Sequence, residues 1–486
     1  MTVTDFLVLP RLYRDSVTLM ALAASAERLP GVTRVGAVLG TPANMQVLTQ
    51  SDMLPPHVDA APDDLVIVVR ADDAAAAARA LETVQNGLHG VDHGETPAHS
   101  TVPRTVSEAV AHRTDLTIAA VSTPGTYAPV VAEQALRRGL HVFCFSDNVT
   151  LCDEVRLKKL ALESGLLMMG PDCGTAIIDG VALGFANAVR PGPVSIVAAS
   201  GTGAQEVSCL LDAVGCGTSQ LIGVGGRDLT AEVGGLMSAH AVDLLRDDPR
   251  TEVVVLVSKP PAPQVAEQIL AQLAALGKPS VACLLGVPDD DGPVRVRGTL
   301  EGGAQAAAEL LGTSLDLTDD VPVSIPENTP RGVLGLYTGG TLAAEAGFIL
   351  SRAGVPAEVI DLGGDEHTAG RPHPMIDPSG RTDRIIAAAE RHDIGILLVD
   401  VVLGHGAAAD PATPLAAAVH RARGIASADS RTLIVIGSVC GTRDDPQGID
   451  GQRRILRDAG VVLHDSNAMA ARHAVALLAA TVRELA

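Results

Sequence analysis

The chain has 486 residues, of which 47% are hydrophobic but 2% aromatic, and its 36 basic and 57 acidic residues give a formal net charge of −21. This length suggests about three domains with cores of Val, Leu, Ile and Ala. The acidic excess, with no cluster of Lys and Arg, excludes a nucleic acid or an anionic membrane as a partner and leaves small molecules and other proteins.

The first 95 residues alternate short apolar runs with Ala/Leu-rich stretches. The runs "FLVLP", "VGAVLG" and "DLVIVV" favour strands, and "DSVTLMALAASAERL" and "DDAAAAARALETV" favour helices. This pattern predicts a small α/β lobe over residues 1–95, ferredoxin-like in type. The polar segment "GVDHGETPAHSTVPRT" follows as a linker, because it has neither periodicity nor apolar content.

A second pattern begins at Asp115. The apolar runs "LTIAAVS", "HVFCFS" and "LLMMG" are separated by the helical stretches "PVVAEQALRRG" and "LCDEVRLKKLALESG". Continuous apolar strands separated by helices of this length are typical of a parallel sheet covered on both faces. We therefore expect a Rossmann-like, doubly wound α/β lobe over residues 105–190.

Two further lobes are copies of each other. "SGTGAQE" and "GGTLAAE" each follow an apolar run, open a helical stretch and lie 139 residues apart, and each helical stretch leads through another apolar run to a Gly-Gly turn. Such self-similarity predicts two flavodoxin-like lobes, over residues 191–320 and 326–486. The fold class is accordingly α/β and multi-domain.

The repeated motif predicts an anion site. A strand that passes through a Gly-containing turn into a helix presents unpaired N–H groups and the positive end of the helix dipole. The motif residues are Ser200, Gly201, Thr202, Gly339, Gly340 and Thr341. A tight turn with a helix cap is the alternative for one copy, whereas two copies favour phosphate or carboxylate binding. Glu206 and Glu345, which lie at equivalent places in the two copies, orient a catalytic group or merely cap the helix.

Cysteine spacing gives no metal site and no disulfide framework. The seven cysteines, at positions 144, 152, 173, 209, 216, 283 and 440, form no C-x-x-C pair. We expect buried thiols in a reducing compartment and no bound metal. The N-terminus lacks the layout of a signal peptide, and no uncharged apolar run reaches 18 residues, which predicts a cytoplasmic protein. Cys173 is either a reactive thiol or, the favoured alternative, a packed one.

The chain resembles succinyl-CoA synthetase. Residues 112–310, with "GPDCGTAII", "SGTGAQE" and "IGVGGRD", look like its α-subunit, and residues 326–486 look like the C-terminal domain of its β-subunit. With "YRDSVTLM", "GTPAN", "GRPHPMID", "DVVLGHGA" and "GTRDDPQ", nearly the whole chain resembles the FdrA family. The resemblance implies a CoA-binding type of lobe at 105–190 with contacts at Ser122, Thr123, Pro124, Ser146 and Asn148, and CoA as a possible cofactor.

The chain departs from the synthetase at the phosphorylated histidine. The equivalent region, "GVPDDDGPVRVRGTLEGGAQAA", has no His, the ATP-grasp half is missing, and no Walker motif replaces it. This argues against autonomous nucleotide-driven CoA ligation. His405, in "LGHGAAADP", is better explained as a loop residue. Arg371 and His373 are candidates for carboxylate or phosphate binding, because Arg offers a bidentate fork and His titrates near neutral pH; a rigid Pro-defined loop is the alternative.

The FdrA resemblance implies a carbamoyltransferase subunit of the oxamate or oxalurate type, active with two further subunits in allantoin or purine catabolism. Acyl phosphates and carbamoyl phosphate are handled by positioning and charge stabilisation, with no obligatory protein nucleophile. The alternatives are an acid–CoA ligase of the synthetase type and a non-catalytic relic with a regulatory role. We expect an oligomer with other subunits, and phosphate, carbamoyl phosphate and oxamate or oxalurate as ligands.

Overall fold

A computed structural model describes residues 2–12, 14, 16–51, 53–55, 57–90, 103–315, 317, 329–368 and 372–484. It divides into two compact units. Unit 1 comprises Met1–Thr105 with Asp365–Asp377, and unit 2 comprises Val106–Gly364 with Pro378–Ala486. No helix in the described ranges is long and apolar enough to cross a membrane.

Unit 1 contains an antiparallel sheet with helices packed on it. Its elements in chain order are β1 (Val3–Leu9), α1 (Ser16–Glu27), β2 (Val32–Leu39), α2 (Pro42–Gln50), β3 (Leu65–Ala71) and α3 (Ala74–Gly90). The sheet order is β1-β3-β2, and β3, which is buried at every position except Arg70, lies in the centre. The core of this unit is formed by one face of that sheet with α1 and α3. The small α/β lobe predicted at the N-terminus is thus present.

Unit 2 begins with a short parallel sheet. Its elements are α4 (Val106–His112), β4 (Ile118–Val121), α5 (Ala128–Arg137), β5 (His141–Cys144), α6 (Leu151–Glu163) and β6 (Met168–Met169), and the strand order is β4-β5-β6. This is the βαβ pattern predicted from the apolar runs. The hairpin of β7 (Thr175–Ile178) and β8 (Val181–Gly184) then joins the sheet of the next lobe through β10. Judged by which sheet each strand joins, the boundary between the first lobe of unit 2 and the next lobe lies near residue 174, whereas the sequence places it at 190.

Lobe 1, the first of the two repeated lobes, follows the hairpin. It contains β9 (Val194–Ala199), α7 (Gly201–Ala213), β10 (Thr218–Gly223), α8 (Leu236–Arg246), β11 (Val253–Ser258), α9 (Pro263–Ala274), β12 (Ser280–Leu284), β13 (Asp290–Asp291), β14 (Arg295–Arg297) and α10 (Leu300–Leu310). Its parallel strands have the order β10-β9-β11-β12-β14. In chain order this is 2-1-3-4-5, the flavodoxin-like arrangement.

Lobe 2, the second repeated lobe, repeats this arrangement. It contains β15 (Gly332–Tyr337), α11 (Gly340–Arg352), β16 (Ala357–Asp361), α13 (Ser379–Ala388), β17 (Ile394–Val402), α14 (Ala412–Ala428), β18 (Ile434–Cys440), α15 (Ile449–Asp458), β19 (Val462–His464) and α16 (Asn467–Glu484); α12 (Asp365–Thr368) belongs to unit 1. The order β16-β15-β17-β18-β19 is again 2-1-3-4-5. The two copies predicted from the motif are therefore two copies of one fold, and the multi-domain α/β class is confirmed.

One part of the domain prediction differs from the structure. The sequence predicts a single lobe over residues 326–486, but Asp365–Asp377 within this range belongs to unit 1. The sequence there, "DEHTAGRPHPMID", has no strand or helix periodicity that assigns it to either unit. Most of the predicted linker, at residues 91–102, lies outside the described residues.

Candidate functional site

The site begins at the start of α7 in lobe 1. Ser200 is the N-cap residue, and its Oγ accepts a hydrogen bond from the backbone N–H of Gly203 at 3.1 Å, as expected of a serine at this position. Gly203 has no room for a side chain. A Cβ there would clash with Ser200 Oγ and lie 2.9 Å from Thr341 Cγ2, a residue of lobe 2. The glycine thus allows the two lobes to approach at this turn.

The starts of α7 and α11 meet. Ser200 Oγ and Thr341 Oγ1 are hydrogen bonded at 2.7 Å, and the backbone N–H of Thr341 donates to Thr202 Oγ1 at 3.3 Å. A Cβ on Gly339 would lie 3.1 Å from Thr202 Cβ. The structure therefore brings the two repeated motifs together at one place, with two helix N-termini converging on it. In this arrangement the hydroxyl groups of Ser200 and Thr341 are hydrogen-bond partners of each other.

The two repeated glutamates connect the lobes reciprocally. Glu206 in α7 accepts at Oε1 from the backbone N–H of Asn467, the first residue of α16 in lobe 2, at 3.0 Å. Glu345 in α11 accepts at Oε1 from the backbone N–H of Leu300, the first residue of α10 in lobe 1, at 2.6 Å. Each carboxyl group thus caps the last helix of the opposite lobe by accepting from its first backbone N–H group. The sequence left a capping role open, but not one across the lobes.

Asn467 lies between these two carboxyl groups. Besides its backbone bond to Glu206, its side-chain Nδ2 donates to Glu345 Oε2 at 2.7 Å and to the backbone oxygen of Leu342 at 3.0 Å. Asn467 is fully buried. Sequence reasoning missed it, because nothing in "HDSNAMAA" indicates that the start of α16 faces the repeated motif.

Burial keeps both glutamates protonated up to unusually high pH. Desolvation raises the pKa of Glu206 to about 7, against the lowering effect of the Asn467 backbone and Cys440 hydrogen bonds. Desolvation likewise raises the pKa of Glu345 to about 8, opposed by hydrogen bonds from Asn467 and Leu300. Perturbed carboxyl groups near two helix N-termini are typical of functional sites, although structural networks also produce them.

An aspartate fills the turn that precedes α11. Asp400 Oδ1 accepts from Thr338 N at 2.8 Å and from Thr338 Oγ1 at 3.0 Å, and its Oδ2 accepts from Gly339 N at 2.7 Å. Arg381 donates from Nη1 to the same carboxylate at 3.0 Å and to the Asp400 backbone oxygen at 2.5 Å. Both charged residues are buried. The sequence signal for Asp400 is a single charge within the otherwise apolar strand "IGILLVDVV".

The residues predicted as contacts of the CoA-binding type lie at one end of the short sheet. Ser122, Thr123 and Pro124 follow β4, and Ser146 and Asn148 follow β5. Ser146 Oγ donates to the Val121 backbone oxygen at 3.4 Å, and Asn148 has a left-handed backbone with φ of 53°. These turns are neighbours, because a Cβ on Gly125 would clash with the backbone of Asp147 and Asn148. Their role in binding remains a prediction.

The remaining candidates are less favourable. Desolvation lowers the pKa of His373 to about 4, and its Nδ1 accepts from Met375 N at 3.2 Å, so the expectation that it titrates near neutral pH is wrong. Arg371 lies outside the described residues. Cys173 is packed, because it is buried, donates to Thr175 O at 3.5 Å and has a pKa raised by desolvation to about 12.

The loops at His405 and at "GTRDDPQ" connect lobe 2 to the segment before β9. His405 is exposed, and its backbone N–H donates to Ala186 O at 2.8 Å. Asp445 accepts from Asn187 Nδ2 at 2.7 Å, from Ala188 N at 2.8 Å and from Thr442 N at 2.7 Å. These contacts give both loops a structural role within unit 2, which agrees with the interpretation of His405 as a loop residue.

Three family models match the chain. They are described as CoA-ligase, at residues 336–477; AllF, heavy metal-associated domain, at residues 1–102; and CoA binding domain, at residues 189–285. The last range falls within lobe 1, so the CoA-binding assignment of residues 105–190 remains a prediction. Residues 1–102 contain no cysteine, and in the described part of the chain no three His, Cys, Asp or Glu side chains are grouped to hold a metal. The described residues of the range 1–102 thus provide no set of ligands that fits a heavy metal.

Full-length and partial relatives agree with these matches. The chain is 38% identical to the uncharacterized protein YahF of Escherichia coli (strain K12) over 94% of this chain and 95% of YahF. It is 26% identical to the alpha-2 subunit of a mitochondrial ADP-forming succinate–CoA ligase of Trichomonas vaginalis, over 46% of this chain and 74% of that subunit. Among solved structures, a dinucleotide-forming acetyl-coenzyme A synthetase 1 of Ca. Korarchaeum cryptofilum has 14% identity and a TM-score of 0.33, covering 76% of this chain and 83% of that one. On the sequence evidence, the chain belongs to the family of YahF and is related to CoA-ligase subunits.

Proposed function

We propose that this member of the YahF family binds a phosphate group where α7 and α11 meet and uses it in acyl or carbamoyl transfer. The observation that carries the proposal is the 2.7 Å contact between Ser200 Oγ and Thr341 Oγ1, which joins the two predicted cradles at one point. A phosphate oxygen would replace this bond, because each hydroxyl group could then donate to the oxygen. The dipoles of two 13-residue helices would favour its negative charge.

The residues around this point suit binding and positioning more than covalent catalysis. The region equivalent to the phosphorylated histidine loop of the synthetase contains no His. Glu206 and Glu345 cap helices of the opposite lobe and hold the two helix starts in register. In this proposal they are positioning residues, and phosphate transfer depends on pre-arranged donors.

Carbamoyl transfer of the FdrA type is the specific reaction that we propose. In the phosphorolysis of oxalurate, a phosphate oxygen attacks the ureido carbonyl carbon and the bond from that carbon to the oxamate nitrogen breaks. The nitrogen takes up a proton, and the products are carbamoyl phosphate and oxamate. No protein nucleophile is needed, which is consistent with the lack of the histidine. The leaving phosphate of the reverse reaction would occupy the same helix starts.

We further propose that the chain acts in a complex with other subunits. The synthetase half that binds nucleotide has no counterpart in this sequence, and the FdrA resemblance implies two further subunits. The test is phosphorolysis of oxalurate by the purified chain, alone and with the products of the two neighbouring genes. We expect carbamoyl phosphate from the full set, and a loss of at least tenfold in Thr202→Val and Thr341→Val, about 1.4 kcal/mol of lost stabilisation. Thr413→Val, on the exposed start of α14, is the matched control. Full activity in both test variants would refute the site.

An acid–CoA ligase is the second candidate. It is favoured by the match of a CoA binding domain to residues 189–285 and by the named activities of the succinate–CoA ligase relatives. CoA would supply the thiol that accepts the acyl group. In the described residues the hydroxyl oxygen of Thr123, in the turn after β4, is buried without a hydrogen-bond partner, so it could take a polar group of this cofactor.

Calorimetric titration with CoA separates the two candidates. The ligase candidate predicts binding that Thr123→Val weakens and inorganic phosphate leaves unchanged. Absence of CoA binding, together with carbamoyl phosphate formation, would leave the transferase. Binding of CoA with no turnover of oxalurate under any combination of subunits would favour the ligase or a relic of it.

A further inference from the structure

We infer that Asp400 decides which of the two repeat-related turns takes an external anion: its carboxylate fills the turn before α11, so a bound phosphate takes its backbone donors from the start of α7. This inference rests on the proposed phosphate site and makes it unequal between the lobes. It assigns Asp400 and Arg381 as specificity-determining residues.

The carboxylate of Asp400 already has the contacts that a bound anion would make. It accepts from two consecutive backbone N–H groups, those of Thr338 and Gly339, and from the Thr338 hydroxyl group, at 2.7 to 3.0 Å. Consecutive N–H groups at a helix start are the usual anion donors in α/β proteins. An external phosphate would have to displace this buried carboxylate before it could use them.

Arg381 makes this displacement unfavourable. Its guanidinium donates to both the carboxylate and the backbone oxygen of Asp400, and both residues are buried. Removing one partner of a buried ion pair leaves an uncompensated charge, which is costly. Among the described residues, Asp400 is the carboxylate that pairs with the buried guanidinium of Arg381, and the Arg381 Nε has no hydrogen-bond partner. Loss of Asp400 would therefore leave this charge without a counter-ion in that part of the chain.

Lobe 1 differs at the equivalent turn. The strand β11, which occupies the place of β17, reads "VVVLVS" and carries no acidic residue. In the described part of the chain, no side-chain carboxylate accepts from the backbone N–H groups of residues 199–202. The Ser200 hydroxyl group, which accepts from Gly203 N, is bonded to Thr341 instead. Among the described residues, the turn before α11 is thus occupied by the carboxylate of Asp400, whereas the turn before α7 has no carboxylate of the chain on its N–H groups.

Formate rescue of Asp400→Ala tests the assignment without any activity measurement. The substitution removes the carboxylate and leaves Arg381 and the two N–H groups with a space that formate can enter. At equal ionic strength, we expect formate to raise the thermal midpoint of Asp400→Ala by about 2 to 4 °C over chloride, and to leave the unmodified protein unchanged. Adding Arg381→Met should abolish the rescue. Asp243→Ala, which removes a surface aspartate paired with Arg246, is the control. Equal effects of formate on all variants would overturn the inference.

A second measurement uses the unmodified protein, in case Asp400→Ala does not fold. Hydrogen exchange is followed by mass spectrometry with and without inorganic phosphate, in peptides covering residues 199–206 and 337–342. We expect phosphate to slow exchange in the first peptide alone. Slower exchange in the second peptide would overturn the inference. No slowing in either peptide would contradict the proposed phosphate site, while agreeing that the lobe 2 turn is closed to phosphate.

Discussion

Replacement of Asn467 by alanine tests whether the reciprocal contact of the two lobes stabilises unit 2. Its side chain donates to Glu345 Oε2 at 2.7 Å and to the Leu342 backbone oxygen at 3.0 Å, and it is fully buried. Because Glu345 has a pKa of about 8 and is largely protonated at pH 7, each of these two hydrogen bonds contributes about 1 kcal/mol, and leaving the buried acceptors without a partner costs about 1 kcal/mol more. We therefore expect Asn467→Ala to lower the free energy of unfolding by about 3 kcal/mol.

The assay is urea unfolding followed by circular dichroism, with the slope of the transition compared between variants. A lower midpoint at an unchanged slope reports a loss of stability and not a change in the unfolded state. Asn467→Asp is the informative second variant, because it places a third carboxyl group between Glu206 and Glu345; we expect it to be more destabilising at pH 8 than at pH 5. A loss below about 0.5 kcal/mol in Asn467→Ala would refute the idea that this residue joins the lobes.

Three further predictions concern the same unit. A double-mutant cycle of Ser200→Ala and Thr341→Val should give a coupling of about 1 kcal/mol by urea unfolding, since their hydroxyl groups bond each other at 2.7 Å; additive effects would contradict the contact. Because burial raises the pKa of Glu206 to about 7 and of Glu345 to about 8, the folded protein binds more protons than the unfolded chain between about pH 4.5 and 8, so stability should fall as pH rises through this window. The double variant Glu206→Gln with Glu345→Gln should flatten that dependence, and an unchanged slope would contradict it. Lys158→Met should cost about 3 to 5 kcal/mol in a thermal or urea melt, because the fully buried ammonium bonds Glu154 and Asp228 at 2.7 Å each and its loss leaves two buried carboxylates with the remaining charge of Arg227 alone; a melt like that of the unmodified protein would count against this.

The fold could be predicted from the sequence largely because of the repeat. The motifs "SGTGAQE" and "GGTLAAE" occupy the same place between an apolar run and a helical stretch, which predicts one fold in two copies. The strands that precede and follow them are six to nine residues long and buried on both faces, so helices must cover both sides of each sheet. Both lobes then adopt the order 2-1-3-4-5. The exceptions are segments with weak local preferences. The hairpin β7–β8 joins lobe 1 through one register pair with β10, Leu221 with Ile177, and local sequence does not specify such an edge contact.

The site could be predicted in part. Motif residues at a strand-to-helix turn are recognisable from composition, because Gly and Ser have distinct roles at helix starts. Arg381 and Asn467 are not recognisable in this way. Each lies in an ordinary helix, and each gains its role from a contact with a residue distant in the chain, Asp400 for the first and Glu345 for the second. His373 shows the opposite error, since its type and neighbours indicated a titrating group while burial makes it neutral.

The reciprocal caps make a helix start in each lobe depend on a glutamate of the other lobe. Because Glu206 caps α16 of lobe 2 and Glu345 caps α10 of lobe 1, each lobe supplies the carboxyl oxygen that accepts from a helix start in the other. The same exchange fixes the distance between α7 and α11, where Ser200 meets Thr341. A site formed between two lobes requires a fixed distance between the starts of α7 and α11. The contacts of Glu206 with α16 and of Glu345 with α10 hold the two lobes at that distance.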